Sequence, residues 1–319
     1  MLTRRSSLFL MAAALGVTRA GAVQEEGRRF GRGLMGTRFL VACYHEDAAL
    51  VEKAVADAFA GAEQINNTAS DYIADSELLS IGKVPHGTPV RISPLLFGLL
   101  EEAWSQAEKT GGLFDPTIGP LTRLWRESRR RKILPDAATL ARAKAAVGWR
   151  KLVLDPAGST ATFTVPDMRL DLGGIAKGQA ADRMLAVLEK SGVPRSSVTA
   201  GGDVRMGDPP PGKEGWNIGV RNRDVDHNAA ELLLRNKAVS TSGDLRQFIE
   251  IGGVRYSHIV DPSTGLGLTR PVAATVIAAS AAISDALATA CCVADREAGR
   301  KLAAAQGAEV FLAEGWGPE

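Results

Sequence analysis

The sequence predicts an α+β fold in which mixed or antiparallel sheets pack against helices. Helical spacing of apolar residues is concentrated in the first half of the 319-residue chain, and short strand-like runs dominate the second half. These runs do not alternate as they do in a β–α–β fold. Hydrophobic residues make up 45% of the chain and charged residues 23%, which is typical of globular proteins. Since no linker divides the chain, we expect one domain over residues 23–319.

The first half is predicted to contain a strand, three helices and a strand pair. A glycine-rich segment leads into the first strand, at 34–44. Ser93 and Pro94 suit the start of a helix, and Asp136 suits the cap of another. The predicted helices are 47–67, 93–112 and 134–148, and the paired strands are 151–155 and 161–165.

The second half begins with a predicted helix at 176–192 and is then rich in strands. Gly252 and Gly253 predict a hairpin turn. A further helix begins near Ile283, with a break before Arg296. The predicted strands lie within 196–207, 216–222, 231–244, 246–262, 271–279 and 308–314, and a loop is expected at 208–215.

Residues 1–22 have the pattern of an export signal. Arg4 and Arg5 precede an apolar run about half as long as a bilayer-spanning helix, and an Ala-Gly-Ala cleavage pattern follows. The paired arginines favour the twin-arginine route, although Ser7 stands where that motif usually has Phe. We therefore expect a periplasmic protein whose signal is not part of the fold.

Charge and cysteine content restrict the classes of partner and site. Removing residues 1–22 subtracts three arginines from the formal charge of +2 and leaves −1. A nearly neutral protein lacks the broad basic surface that binds nucleic acid, and the basic run at 129–132 is typical of a solvated helix end or loop. Cys43, Cys291 and Cys292 have neither disulfide nor zinc-ligand spacing, so we expect buried thiols.

Several short segments carry residue types suited to phosphate chemistry. In DLGGIAKG (171–178), two glycines and a lysine lie at a helix start, where free N–H groups favour an anion. Asp285 and Thr289 are four residues apart, which places two oxygen donors on one helix face. His258 precedes the turn DPSTG, and STSGD (240–244) offers hydroxyls in a turn-like segment. Each segment by itself also fits a purely structural role.

Taken together, these segments resemble the ApbE family of FAD:protein FMN transferases. The resemblance extends over essentially the whole chain after the export signal. It is carried, in this order, by LMGTRF (34–39), TGGLFDPTIGPLTRLW (110–125), LDLGGIAKGQAADRM (170–184), AGGDVRMG (200–207), VSTSGD (239–244), YSHIVDPSTG (256–265) and SDALATA (284–290).

The resemblance implies a reaction and a set of site residues. The reaction is the Mg²⁺-dependent transfer of the FMN moiety of FAD to a Thr or Ser hydroxyl of an exported or membrane-bound redox protein, with release of AMP. Asp285, Thr289 and the carbonyl of Gly174 are implied as Mg²⁺ ligands, and His258 as the base for the incoming hydroxyl. The implied FAD contacts are Met35, Tyr72, Leu113, Phe114, Asp115, Asp171, Lys177 and Val260.

Two other functions are also compatible with the sequence. If water replaced the protein hydroxyl, the protein would be a Mg²⁺-dependent FAD pyrophosphatase that yields FMN and AMP. A flavin-binding protein without catalysis would need neither the acid and threonine nor the histidine, which counts against it. Some family members carry a second acid directly before the threonine, and Ala288 stands there in this chain. A single Mg²⁺ site is therefore the simpler expectation.

Overall fold

The computed structural model describes residues 27–221, 229–244 and 247–314. In chain order the elements are β1 (Gly27–Leu34), β2 (Thr37–Tyr44), α1 (Ala48–Ala69), α2 (Glu77–Ser80), β3 (Val90–Arg91), α3 (Pro94–Lys109), α4 (Gly119–Arg131), α5 (Ala137–Ala145), β4 (Leu152–Asp155), β5 (Thr160–Phe163), α6 (Ala176–Lys190), β6 (Ser196–Ala200), β7 (Asp203–Met206), β8 (Trp216–Arg221), β9 (Ala229–Leu234), β10 (Ala238–Gly243), β11 (Phe248–Ile251), β12 (Val254–Ser257), β13 (Val272–Ala278), α7 (Ala281–Val293), α8 (Arg296–Ala305) and β14 (Glu309–Glu314). Short 3₁₀ turns lie at Ile81–Lys83 and Trp149–Lys151.

The main sheet has seven strands in the order β1-β2-β6-β7-β10-β13-β14. All of its strand pairs are antiparallel. Three smaller sheets have the orders β3-β5-β4, β8-β9 and β11-β12. Antiparallel sheets combined with packed helices confirm the predicted α+β class.

One face of the main sheet is covered by α6 and α7. Helix α6 packs on β6 and β7, helix α7 packs on β10 and β13, and α1 packs on α6. In β2 the side chains of Phe39, Val41 and Cys43 are buried, while Leu40 between them is exposed, as expected for a sheet with one covered face. This packing places the start of α6 beside the start of α7.

The predicted strand at 34–44 is half of a hairpin. Residues 27–33, predicted as a glycine-rich lead-in, form β1 together with Leu34, and β1 pairs with β2 over its full length. Met35 and Gly36 have φ values of 50° and 70° and form the two-residue turn. The pattern of β1 is mostly exposed and rich in Gly and Arg, so it lacks the apolar alternation that predicts a strand.

The remaining segments mostly follow the predictions. The basic run at 129–131 is the last turn of α4, and Lys132 ends that helix with a φ of 56°. Residues 240–243 lie within β10, so the expected turn-like segment there is wrong. The short elements α2 and β3 were not predicted from the sequence because they are too short to show a period. Helix α4 was not predicted either, although Leu121, Leu124 and Trp125 have helical spacing.

The three cysteines are buried free thiols, as expected. Burial raises the pKa of Cys43 and of Cys291 to about 11. The predicted export signal at 1–22 lies outside the described residues. Within the part of the chain that the structure describes, no helix has the length and apolar character needed to cross a bilayer.

Candidate active site

All of the predicted site residues except Met35 line one cavity of about 490 Å³. Met35 lines a neighbouring cavity of about 540 Å³, and the two cavities share Tyr72, Gly173 and Lys177. A third cavity, of about 930 Å³, is lined by another face of α4 and contains none of the predicted residues. The fold therefore brings the separate sequence segments together around one cleft, which we call the central cleft.

Two carboxylates, one from α6 and one from α7, fix the geometry of the central cleft, because each binds the first turn of the other helix. Asp182 of α6 accepts hydrogen bonds from the backbone N–H groups of Ala281 (2.9 Å) and Ala282 (2.8 Å) at the start of α7. In return, Oδ2 of Asp285 in α7 accepts from the N–H of Gly178 (3.2 Å) in the first turn of α6. Each carboxylate thus satisfies free donors of the partner helix and interacts favourably with its dipole.

The close contact of these two helices depends on a glycine. A β-carbon at Gly178 would lie 2.2 Å from the carbonyl oxygen of Ala281, closer than any side chain tolerates. Glycine lets the two backbones touch and brings Asp285 to the start of α6. The N-terminal turn of α6, predicted as an anion site, therefore already binds the carboxylate of Asp285.

Lys177 lies between two buried carboxylates. Its Nζ is 2.9 Å from Oδ2 and 3.2 Å from Oδ1 of Asp285, and 3.1 Å from Oδ2 of Asp203 at the start of β7. Burial disfavours the ammonium, but the two carboxylates outweigh this effect and raise the pKa of Lys177. Burial and the nearby charge of Asp285 raise the pKa of Asp203 to about 7. The lysine is therefore a permanent cation at the wall of the cleft.

The predicted metal ligands offer a donor set suited to Mg²⁺. A β-carbon at Gly174 would lie 3.1 Å from Oγ1 of Thr289, so the backbone of the glycine pair runs against that hydroxyl. Asp285 is one turn away on the same helix, and its side chain is 3% exposed. A carboxylate, a hydroxyl and a carbonyl are hard oxygen donors, and Mg²⁺ commonly takes few protein ligands and completes its shell with water and phosphate.

Two further observations bear on the metal. Among the described residues there is no group of three or more His, Cys, Asp or Glu side chains that could hold an ion. The predicted set has one carboxylate, so it belongs to a different class of site. Ala288 is fully buried among the apolar residues of α7 and β13, so the position of the second acid in some family members lies in the core here. The single Mg²⁺ ion stays a prediction.

Asp171 belongs to a polar cluster with α4 and does not project a free carboxylate into the cleft. Its Oδ1 accepts from the N–H of Gly173 (2.8 Å), and its Oδ2 accepts from Thr122 (2.7 Å) and Arg126 (2.9 Å). The Arg126 guanidinium also lies 4.5 Å from the ring centre of Tyr72. Asp171 therefore orients the glycine pair and the arginine that stacks on Tyr72.

The predicted FAD contacts around the cleft differ in exposure. Tyr72 is 77% exposed, which leaves one ring face open opposite the arginine. Leu113 is half-buried, while Phe114 and Val260 are buried. Asp115 is buried and accepts from Thr117 (2.8 and 2.6 Å) and from the N–H of Trp149 (3.0 Å). Burial raises the pKa of Asp115, and its hydrogen bonds give the carboxylate a structural role in the cleft wall.

His258 follows β12 directly and is half-buried at the cleft. The ring Nδ1 of His258 lies 3.3 Å from the carbonyl oxygen of Gln247, and the backbone N–H of His258 donates to the same oxygen at 2.9 Å. A carbonyl only accepts, so this contact assigns the proton of the neutral ring to Nδ1 and leaves Nε2 as an acceptor. Burial lowers the pKa of His258, which favours the neutral ring at pH 7.

Three residues that build this site were not predicted from the sequence. Asp203 pairs with Lys177, Asp182 caps α7, and Gly178 permits the helix contact. Asp203 lies within AGGDVRMG, where an acid directly after a Gly-Gly turn was the available signal. No sequence pattern reveals the other two, because their partners are about one hundred residues away in the chain.

Comparison with known proteins identifies the family. The family model described as "ApbE family" matches residues 35–312. The chain belongs to the ApbE family. Curated ApbE-family relatives include the FAD:protein FMN transferase of Vibrio cholerae, 31% identical over 78% of this chain and 76% of the relative. The FAD:protein FMN transferase of Treponema pallidum is 32% identical over 82% of this chain and 76% of the relative.

Solved ApbE structures share the fold. The apo form of the Pseudomonas stutzeri flavinyl transferase ApbE superposes with a TM-score of 0.82 at 28% identity, covering 93% of this chain and 94% of the other. The ApbE protein of Thermotoga maritima gives a TM-score of 0.80 at 30% identity, covering 91% and 94%. The predicted family is therefore confirmed, together with the fold class.

Proposed function

We propose that this protein transfers the FMN moiety of FAD to a Thr or Ser hydroxyl of a protein acceptor and releases AMP. The observation that carries the proposal is the meeting, in one cleft, of hard oxygen donors, a permanent cation and a neutral histidine. Phosphoryl transfer depends mainly on positioning and on neutralising charge, and this set provides both. The names of the curated relatives point to the same reaction.

The proposed reaction exchanges a phosphoanhydride bond for a phosphoester bond. The acceptor hydroxyl oxygen forms a bond to the phosphorus of the FMN half, and the bond from that phosphorus to the oxygen bridging to AMP breaks. The hydroxyl proton goes to Nε2 of His258, and AMP leaves with the bridging oxygen. No oxidant or reductant takes part, so the flavin keeps its redox state.

We assign the metal site to Asp285, Thr289 and the carbonyl of Gly174, with one Mg²⁺. When bound, Mg²⁺ would neutralise charge on the pyrophosphate of FAD and stabilise the AMP leaving group. The Lys177 ammonium lies beside this donor set and supplies a second positive charge to the same wall of the cleft. Together they favour the dianionic pyrophosphate over neutral ligands.

We assign recognition of the flat rings of FAD to the two joined cavities. Tyr72 lies in both, with one ring face open, and Met35 lines the second cavity. A polarizable thioether and an aromatic face suit stacking against flat rings. Leu113, Phe114 and Val260 supply apolar contacts in the central cleft, while Asp115 and Asp171 hold its backbone in place.

We further propose that the protein acts after export, with an exported or membrane-bound redox protein as acceptor. The export pattern of residues 1–22 supports a periplasmic location, and the nearly neutral remainder of the chain argues against a nucleic-acid partner. Fusion of residues 1–22 to a folded reporter tests the location. Export of the reporter is expected, and its loss on Arg4→Lys with Arg5→Lys would identify the twin-arginine route.

The transferase proposal is tested by the mass of the acceptor. The protein, FAD and Mg²⁺ are incubated with candidate exported flavoproteins, and intact masses are compared with and without a chelator. A gain equal to FMN less one water, found only with Mg²⁺, is the expected result. Steady release of FMN and AMP without any mass gain would favour the FAD pyrophosphatase. Binding of FAD without AMP release would favour a non-catalytic flavin-binding protein.

A further inference from the structure

Two buried carboxylates and one partly exposed ammonium meet where α6, α7 and the main sheet come together. The Lys177 ammonium contacts one carboxylate on each side, from Asp285 and from Asp203. Both carboxylate side chains are 3% exposed. With both carboxylates ionised, the group carries a net charge of −1. Water hardly reaches the two carboxylates, so both depend on the lysine for a positive partner.

The two carboxylates are not equivalent. Asp285 accepts two hydrogen bonds from Nζ of Lys177 and one from the N–H of Gly178. Oδ2 of Asp203 lies 3.1 Å from the same Nζ, but the contact lies outside hydrogen-bond geometry, so it is an ion pair without an aligned donor. A buried carboxylate oxygen with no donor is unusual and costly. Asp203 thus has an acceptor position aimed at the lysine that remains unused while the lysine binds Asp285.

Asp285 cannot serve the lysine and a divalent cation equally. The oxygens that would face Mg²⁺ in the proposed site are the same two that accept from Nζ of Lys177. An ammonium and a divalent cation on one carboxylate also repel each other strongly in a buried place. If the lysine had no other anion, binding of the metal would leave a partly buried ammonium without a carboxylate partner.

We propose that Asp203 is a positioning residue for the metal site: it retains the Lys177 ammonium when Asp285 becomes a metal ligand. The inference deepens the proposed function and rests on its metal assignment. In this arrangement the lysine moves from shared contact with both carboxylates to full contact with Asp203. Asp203 itself does not contact the ion.

A simpler explanation is that Asp203 attracts the metal through space, as any nearby negative charge would. The two explanations differ in whether the effect passes through the lysine. If Asp203 acts by retaining the ammonium, its importance depends on Lys177 being present. If Asp203 acts through space, its removal weakens Mg²⁺ binding to the same extent with or without the lysine.

A double-mutant cycle separates these cases. Mg²⁺ binding is measured by calorimetry, without FAD, on the wild-type protein, Asp203→Asn, Lys177→Gln and the double variant. Asp208→Asn, an exposed acid just beyond the same strand, is the matched control. We expect Asp203→Asn to weaken Mg²⁺ binding about tenfold or more, a typical size for coupled sites. Lys177→Gln should strengthen binding, and Asp203→Asn should cost clearly less in that background.

An equal fold-loss from Asp203→Asn in both lysine backgrounds would overturn the inference, as would binding equal to that of Asp208→Asn. A crystal structure of the wild-type protein with Mg²⁺ provides a check that needs no variant. We expect Nζ of Lys177 to keep its contact with Asp203 and to leave Asp285. A lysine that still binds both oxygens of Asp285 beside the ion would refute it. Neither experiment needs an acceptor, so failure of the transferase proposal is a separate outcome.

Discussion

Replacing Gly178 by alanine tests whether the α6–α7 contact builds the active site. An alanine β-carbon would lie 2.2 Å from the carbonyl oxygen and 2.5 Å from the carbonyl carbon of Ala281. Ordinary contact begins near 3.4 Å, so the helices must separate by about 1.2 Å at this point. Neither obstacle is a flexible side chain, so a rotamer change cannot relieve the clash.

The separation acts on stability and on activity. Overpacking of this kind costs about 1–3 kcal/mol, and the better helix propensity of alanine returns about 1 kcal/mol. The hydrogen bond from Gly178 to Asp285 is 3.2 Å long, and an added 1.2 Å takes it out of range. Since Asp285 is the proposed metal ligand, a shift of this size should lower Mg²⁺-dependent AMP release about 100-fold.

Gly98→Ala is the matched control, because Gly98 is an exposed glycine inside α3 with open space around its β-carbon position. We expect this variant to keep full activity and to gain up to about 1 kcal/mol of stability. Urea denaturation gives the free energy of unfolding, and AMP release from FAD gives the activity. A Gly178→Ala variant as stable and as active as Gly98→Ala would refute the proposed role of the helix contact.

Three other predictions follow from the same geometry. Asp285→Ala should keep the fold, since Lys177 retains a second buried carboxylate in Asp203. The variant should lower Mg²⁺-dependent AMP release about 100-fold or more, and full activity would refute the metal assignment. His258→Ala should slow transfer more than it weakens FAD binding. Because the pKa of His258 is lowered from its usual value near 6.5, the part of the pH profile that is lost in His258→Ala should be a fall in transfer at pH values below about 6.5. A His258-dependent fall that begins above pH 7 would contradict the base assignment. Iodoacetamide at pH 8 should leave all three buried cysteines unmodified in the native protein and modify them in urea, as peptide masses would show.

The elements that the sequence predicted well are those with a strong local pattern. Helices α1, α3 and α5 begin at Asp47, Ser93 and Asp136, each of which caps its helix through the side chain. The hairpin turn at Gly252 and Gly253 likewise has the positive φ values that glycine allows. Strand β1 escaped prediction because its exposed, Gly- and Arg-rich residues carry no apolar alternation.

The location of the site could be predicted from the sequence better than the charge states of its residues. The segments around Lys177, His258 and Asp285 were identified from the sequence, and the fold gathers them in the central cleft. Their charge states depend on partners that only the tertiary structure brings near, above all Asp203 beside the lysine. Pairings between distant segments follow from helix packing on a sheet, and local residue patterns do not encode them.

In the proposed reaction a protein hydroxyl, and not water, receives the FMN. Its most direct test is the ratio of AMP released to FMN bound covalently, measured in one incubation of the protein with FAD, Mg²⁺ and an exported flavoprotein. We expect one AMP for each FMN attached, and AMP release by the Asp285→Ala variant that is lower by about 100-fold or more. AMP released in steady excess, with free FMN and no flavin on the acceptor, would contradict the proposed reaction.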